Sequence, residues 1–466
     1  MSRKKEILMS YGSTILSVGV NIILLPLILT KLSSEEIGLW YILASFGAVV
    51  SIFDGALNVN ITRTVAYINT GLRDLKKTGI TKQISQGPID RELFKNFYAT
   101  TRIYYALSTV LCLIISTYWI SLLLNFEYQS PYGSFYLIIF FYFIGVGLNL
   151  LFGYFIPFLR GLDRINDANS IIIIHRTFFL ITSSIGIVCG FGLISIAIAS
   201  FISSILSRIY GAIIFNRESP IKIISNKISR NEVVRLLKIN FKNIALLIIV
   251  SFSTFFLQRL SLVLLANEVS LEVIADLGTT LTLFLTLITL STVFSQLNYP
   301  ELSKLQSSGN LKKTKAVLGE NLITMLVLYI LGSIIIIFLG SPVIKLLSDN
   351  VQLLPTKFLV LISIVFFFEA TLGVVGNFIT SLNILPFVWP IFIASCFHII
   401  LFIILFNHTG LELYSILIAQ LVSQGVFNYW YWIKFSLRSI ESNLKSVIYE
   451  GISRLNSTLK TGYDKS

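Results

Sequence analysis

The chain has 466 residues, 55% of them hydrophobic and only 13% charged, with a formal net charge of +13 at pH 7. A soluble domain carries about a quarter charged residues, and 36 Phe with 20 Tyr exceed what one water-soluble core buries, so the surplus apolar surface needs lipid as its solvent. The cationic excess then reads as attraction to an anionic membrane surface rather than to nucleic acid, and Cys112, Cys189 and Cys396, isolated in apolar runs without a C-x-x-C spacing, offer neither a disulfide framework nor a metal site.

A bilayer-crossing helix needs about 20 mostly apolar residues, because each adds about 1.5 Å against a hydrocarbon core about 30 Å thick. Helices are required because unpaired backbone groups cannot face lipid. Hydropathy predicts twelve spans, over residues 11–30, 37–58, 103–126, 135–158, 170–189, 194–215, 244–265, 277–297, 321–339, 356–381, 385–406 and 414–433. Only Gly190-Phe191-Gly192 separates the fifth from the sixth, and only Leu382-Asn383-Ile384 the tenth from the eleventh. Arg3-Lys4-Lys5 and the apolar run behind them resemble a secretory signal, but without a small-residue cleavage site the run reads as an uncleaved first helix. With the N-terminus inside, 30 of the 36 Lys and Arg fall on the cytoplasmic face, and the opposite face holds only Lys31, Lys345 and Lys357. That is a positive-inside pattern. It requires an even number of spans and puts both termini in the cytoplasm.

Trp40-Tyr41, Tyr104-Tyr105, Tyr118-Trp119 and Tyr429-Trp430-Tyr431-Trp432 gather at the expected interfaces as an aromatic belt. Residues 229–243 predict a surface helix with Val233, Val234, Leu237 and Phe241 on one side and Arg230, Arg235, Lys238 and Lys242 on the other. The tail repeats the pattern with Ile440, Leu444, Ile448, Leu455 and Leu459. Both suit an anionic inner leaflet.

The basic stretch 216–243 divides six spans from six, and GYFIPFL at 153–159 matches GNFITSL at 376–382 at an offset of 223, which also pairs His175 with His398. The expected fold is therefore an all-α polytopic membrane protein. It comprises an N-terminal six-helix bundle (1–215), a basic cytoplasmic linker with an interfacial helix (216–243), a C-terminal six-helix bundle (244–433) and a cytoplasmic amphipathic tail (434–466). Repeats of this kind enclose a central cavity and alternate access by rocking one bundle against the other.

Residues 29–67 carry an acidic, Gly-containing turn before Trp (Glu35, Glu36, Gly38, Trp40), then Asp54-Gly55 near the end of the second span and Arg63 beyond it, while FLRGLDR occupies 158–164. In these elements the chain resembles the bacterial O-antigen flippases, the polysaccharide-transporter branch of the multidrug/oligosaccharidyl-lipid/polysaccharide exporter (MOP) superfamily. One departure is Asp-Gly-Ala at 54–56, where Asp-Leu-Gly or Asp-Phe-Gly is more usual. The resemblance implies a flippase of the bacterial inner membrane. Its substrate would be an undecaprenyl-diphosphate-linked oligosaccharide, such as an O-antigen repeat unit of lipopolysaccharide, moved from the cytoplasmic to the periplasmic leaflet. Its partners would be anionic phospholipid and other membrane proteins of polysaccharide assembly.

Moving a diphosphate and sugars through hydrocarbon needs a hydrated, cationic passage, and a charge at membrane depth costs about 3 kcal/mol or more unless paired or wetted. Arg176 in span five and Arg259 in span seven are the expected diphosphate contacts, because a guanidinium stays protonated and donates a bidentate fork to phosphate. An internal ion pair or snorkelling is the alternative for Arg176. Arg208, nearer the inner end of span six, is expected to snorkel. Asp54 and Glu369 are expected either to bind H⁺ or Na⁺ for coupling or to serve as gate and ion-pair groups, and Gly55 with Arg63 predicts a helix end near Asp54 at the inner rim. Arg63, Arg160, Asp163 and Arg164 are expected at the cytoplasmic mouth, the last three alternatively pairing with one another. His175 and His398 read either as hydrogen-bonded packing residues or as groups responding to pH. Asn21, Asn149, Gln296, Asn377, Gln420 and Gln424 are polar groups at membrane depth, some of them lining the cavity.

The chain contains no G-x-x-x-x-G-K-[ST], no H-E-x-x-H and no Gly-rich nucleotide loop, and its inner loops are too small for an ATPase domain. The expectation is transport without catalysis, cofactor or metal. Two alternatives stand beside it. A multidrug or cation antiporter of the same superfamily calls for carboxylates without intramembrane Arg. A membrane polysaccharide polymerase calls for a long outer loop, which this chain lacks.

Overall fold

The computed structural model describes residues 19–20, 23–69, 71, 89–124, 135–218, 228–266, 268–307, 310–382 and 384–463. Every regular element among the described residues is helical. Ten of these helices are long and apolar enough to cross a membrane, and the chain is a multi-pass membrane protein. They overlap the second to eleventh expected spans in order. Arg3-Lys4-Lys5, Asn21 and most of the first expected span lie outside the described residues, and the remainder of that span is helical over 23–31. The twelfth expected span is two helices rather than one. It breaks where Phe427 leaves helical geometry at φ −138°, ψ −54°. Gly425 is a weak helix former just before the break, and the Asn428 side chain donates back across it to Gln424 Oε1 at 2.8 Å.

The chain divides into two compact units, one of Met1–Phe255 with Leu265–Ala275 and one of Phe256–Leu264 with Asp276–Ser466. The first contains α1 (Ser34–Asn69), α2 (Arg91–Leu124), α3 (Phe135–Leu151), α4 (Phe155–Gly161), α5 (Ile165–Val188), α6 (Ile194–Glu218) and α7 (Arg230–Phe255). A reciprocal cap starts α1. Ser33 Oγ accepts from the Glu36 backbone N–H at 3.2 Å, and Glu36 Oε2 accepts from the Ser33 N–H at 3.1 Å. The other Glu36 oxygen accepts from the Leu193 N–H at 2.9 Å, which ties α1 to the turn between α5 and α6. Gly192 in that turn has φ +64°, and a side chain there would meet the Glu36 carboxylate. Lower down, α3 lies against the backbone of Ser200 and Phe201 because Gly145 has no Cβ to hold it off, the small-residue contact that suits helices in lipid. Phe94, Phe97, Tyr98, Phe158 and Phe215 fill the core around α4 with edge-on and stacked rings.

Three sequence expectations are corrected here. First, α1 does not end near Asp54 but runs unbroken to Asn69, because packing overrides the modest helix penalty of Gly55. Second, residues 229–243 are not a separate surface helix but the start of α7. The residues α7 buries there are Val233, Leu236 and Asn240, while Phe241 is exposed. Contacts with α1 and α2 set this register: Tyr104 donates to the Leu237 carbonyl at 2.5 Å, and Thr64 to Asn240 Oδ1 at 3.4 Å. Third, six of the ten expected belt residues are buried inside the protein: Tyr41, Tyr104, Tyr105, Trp119, Tyr429 and Trp432.

In the second unit a π turn (Phe256–Leu260) leads into α8 (Ser261–Leu265). After α9 (Leu271–Leu297) come α10 (Tyr299–Ser307), α11 (Leu311–Leu347), α12 (Thr356–Ser381), α13 (Val388–His408), α14 (Tyr414–Gly425), α15 (Asn428–Ser439) and α16 (Leu444–Tyr463). The tail forms the helix α16. It docks along α11, where Gly451 meets the backbone of Gly319 and Glu320, and Val447 is fully buried. Arg454 closes the contact with a bidentate pair to Glu301 at 3.0 and 2.9 Å and a third bond to Glu320 at 2.6 Å. Leu444, Ile448, Tyr449 and Ile452 remain exposed.

Candidate functional site: a polar cavity in the first unit

Residues 40, 47, 51 and 54 of α1 recur at helical spacing and present one face. Facing them are Tyr142, Val146, Asn149 and Leu150 of α3, His175, Arg176 and Phe179 of α5, and Ser200 of α6. Together they line a half-open cavity of about 200 Å³ that lies wholly within the first unit. Its wall is unusual for a membrane span in carrying a guanidinium, an imidazole, a carboxylate and a carboxamide. Tyr142 shapes the Trp40 end by donating to the Leu43 carbonyl at 2.7 Å, and Gly47 leaves room for that hydroxyl.

Asp54 is half-buried and accepts from the Tyr105 hydroxyl at 3.2 Å. Arg208 and Arg160 both act electrostatically on its carboxylate. Arg208 does not snorkel. It is 8% exposed and donates from Nη2 to Asn149 Oδ1, while its Nε and Nη1 have no hydrogen-bond partner among the described residues. The reason lies in the rotation of α6, which turns Ser200, Ser203, Ser204, Ser207 and Arg208 inward together. Asn149 thus joins two groups by lining the cavity and holding the guanidinium behind it. Such a network sustains charge at membrane depth at lower cost than an isolated ion.

The FLRGLDR segment is fastened to neighbouring helices rather than paired within itself. Arg160 donates to Asn58 Oδ1 at 3.5 Å, Asn69 donates to Asp163 Oδ2 at 3.5 Å, and Arg164 pairs with Glu218 of α6. Asp163 takes φ +60° to make the turn. Arg63 is exposed.

The second unit holds the other sequence-singled residues. Glu369 Oε1 accepts from Gln420 Nε2 at 3.1 Å and from the Tyr429 hydroxyl at 3.0 Å, and the Tyr429 ring stacks on Phe368 with centroids 4.8 Å apart. Arg259 is half-buried on the π turn, a local widening of the helix that recurs at functional positions. Two residues on, Ser261 Oγ lies 3.3 Å from His398 Nε2, so His398 is a hydrogen-bonded packing residue that braces this segment. His175 differs from it by facing the cavity. Sequence reasoning passed over Tyr105 and Tyr429, counting them as belt residues, because span membership carries no information on helix rotation.

No family model and no curated protein sequence matches the chain. Solved structures do. One is a multidrug resistance MATE family transporter of the MOP superfamily in an inward-facing conformation, with 14% identity, TM-score 0.61, and coverage of 92% of this chain and 95% of that one. Another is the lipid II flippase MurJ in an inward closed conformation, with 16% identity, TM-score 0.61, and coverage of 97% of this chain and 90% of that one. The chain shares the fold of these two structures. At these identities the likeness concerns the fold alone. Within that fold, the cavity of the first unit carries Arg176, Asp54 and Asn149.

Proposed function

We propose that the protein is a flippase that moves an undecaprenyl-diphosphate-linked oligosaccharide, an O-antigen repeat unit or a similar glycan, from the cytoplasmic to the periplasmic leaflet of a bacterial inner membrane by alternating access. The observation that carries the reading is Arg176 lining a polar cavity inside helices long enough to span a bilayer. Diphosphate needs a cation and hydrogen-bond donors at that depth, and a guanidinium supplies both. MurJ, which shares the fold, is a lipid II flippase, and a lipid-linked substrate suits the same architecture. A cationic drug, the kind of cargo a multidrug antiporter of this fold would carry, would be repelled by Arg176 and by Arg208 behind it.

In this reading Arg176 in the N-terminal bundle (1–215) and Arg259 in the C-terminal bundle (244–433) contact the headgroup. Arg63, Arg160, Asp163 and Arg164 border the cytoplasmic mouth. Asp54 and Glu369 exchange H⁺ or Na⁺ to couple the cycle. Deleting the gene tests the function: carrier-linked oligosaccharide should accumulate on the cytoplasmic leaflet, and normal surface polysaccharide in the deletion strain rejects it.

A further inference from the structure

A second recess in the first unit is separate from the polar cavity. It lies between α2, the turn joining α3 to α4, and the start of α7, and has a volume of about 590 Å³. Ala99, Ile103 and Ala106 fall on one face of α2, and the two alanines leave the recess open. Phe152 and Ile228 add apolar surface to its wall, and Arg102 and Arg230 line it too. Arg102 lies over the Tyr98 ring, 5.9 Å from its centroid. Neither arginine has a carboxylate partner among the described residues.

From Arg102 the outer face of α2 continues as Ile103, Leu107, Val110 and Ile114, all exposed and spaced to form one stripe. At 1.5 Å per residue the stripe reaches about 18 Å from the arginine, close to one leaflet of a hydrocarbon core about 30 Å thick. A cationic end and an apolar strip of leaflet length match an amphiphile with a phosphate head and a long chain. We propose that this recess binds an anionic phospholipid of the surrounding bilayer, its phosphate held by Arg102 and Arg230 and one acyl chain laid along the α2 stripe. The site is independent of the flippase reading, because it uses none of the residues assigned to the transported headgroup.

The test uses the full chain in detergent and native mass spectrometry with phosphatidylglycerol and phosphatidylcholine as probes. Wild type should retain phosphatidylglycerol preferentially. Arg102→Gln and Arg230→Gln should each lower that preference roughly five-fold, on the scale of one basic residue at an anionic surface, and the double variant should abolish it. Ala106→Trp, which keeps both charges and fills the recess, should also lower retention, giving a second route if the double variant unfolds. Arg438→Gln, an exposed arginine elsewhere, should change nothing. Retained preference in both the double variant and Ala106→Trp overturns the proposal. So does selective displacement of phosphatidylglycerol by undecaprenyl phosphate, which would make the recess a substrate groove.

Discussion

Gly319 of α11 and Gly451 of α16 meet backbone to backbone, with no room for a Cβ on either residue. Gly451→Leu should therefore lift the tail helix from α11. Hydrogen exchange across Leu444–Asn456 should rise sharply while the rest of the second unit keeps its protection. Unchanged protection would mean that another contact holds the tail. Arg454→Gln should cost less, about 1 kcal/mol, as befits a partly exposed charge network. Its carboxylate partners, Glu301 foremost, hold the Arg454 guanidinium above the ordinary arginine value. A folded value raised in this way gives stability that is complete at neutral pH and lost only in strong alkali, so the tail should stay docked as pH rises through neutrality.

Arg208 is held by Asn149 and Asp54 by Tyr105, and the two opposite charges act on each other electrostatically. Removing one charge takes a hydrogen-bonded partner from Asn149 or Tyr105 and the counter-charge from the other group, at a cost of about 1 to 3 kcal/mol. Arg208→Gln and Asp54→Asn should each destabilise strongly, and the double variant should be better than the sum by about 1 to 3 kcal/mol. Thermal unfolding in detergent measures the cycle, and strict additivity would show that the two side chains do not act on each other.

Arg176→Ala and Arg259→Ala should each reduce export of surface polysaccharide about ten-fold or more at normal protein levels, the scale of a lost hydrogen bond to a charged group. Quantifying surface glycan against membrane-inserted protein decides it. Full export in either variant removes that arginine from the headgroup site.

Glu369→Gln preserves an acceptor for Gln420 and Tyr429 while removing the carboxylate's charge. Stability should change little and transport should fall, with loss of its response to an imposed proton or sodium gradient. Tyr429→Phe should do the reverse. It takes one donor from a half-buried carboxylate and costs about 1 kcal/mol in stability, and the response to the gradient should remain. Gradient-driven transport assays paired with melting curves separate the two.

Hydropathy and charge alone were enough to read a polytopic helical protein, the order of ten of its spans, and the short breaks at Gly190–Gly192 and after Ser381. These properties depend on the solubility of each segment in lipid, and that is written residue by residue. What depends on helix rotation was not legible there. Arg208 was expected to snorkel and instead lies behind Asn149, Tyr105 and Tyr429 were expected at the interface and instead hold Asp54 and Glu369, and residues 229–243 were expected as a separate surface helix and instead begin α7. In a helix apolar on most sides, periodicity is too weak to say which face turns inward. The small-residue approaches at Gly145, Gly186 and Gly319 set that rotation, and they exist only once the helices are packed.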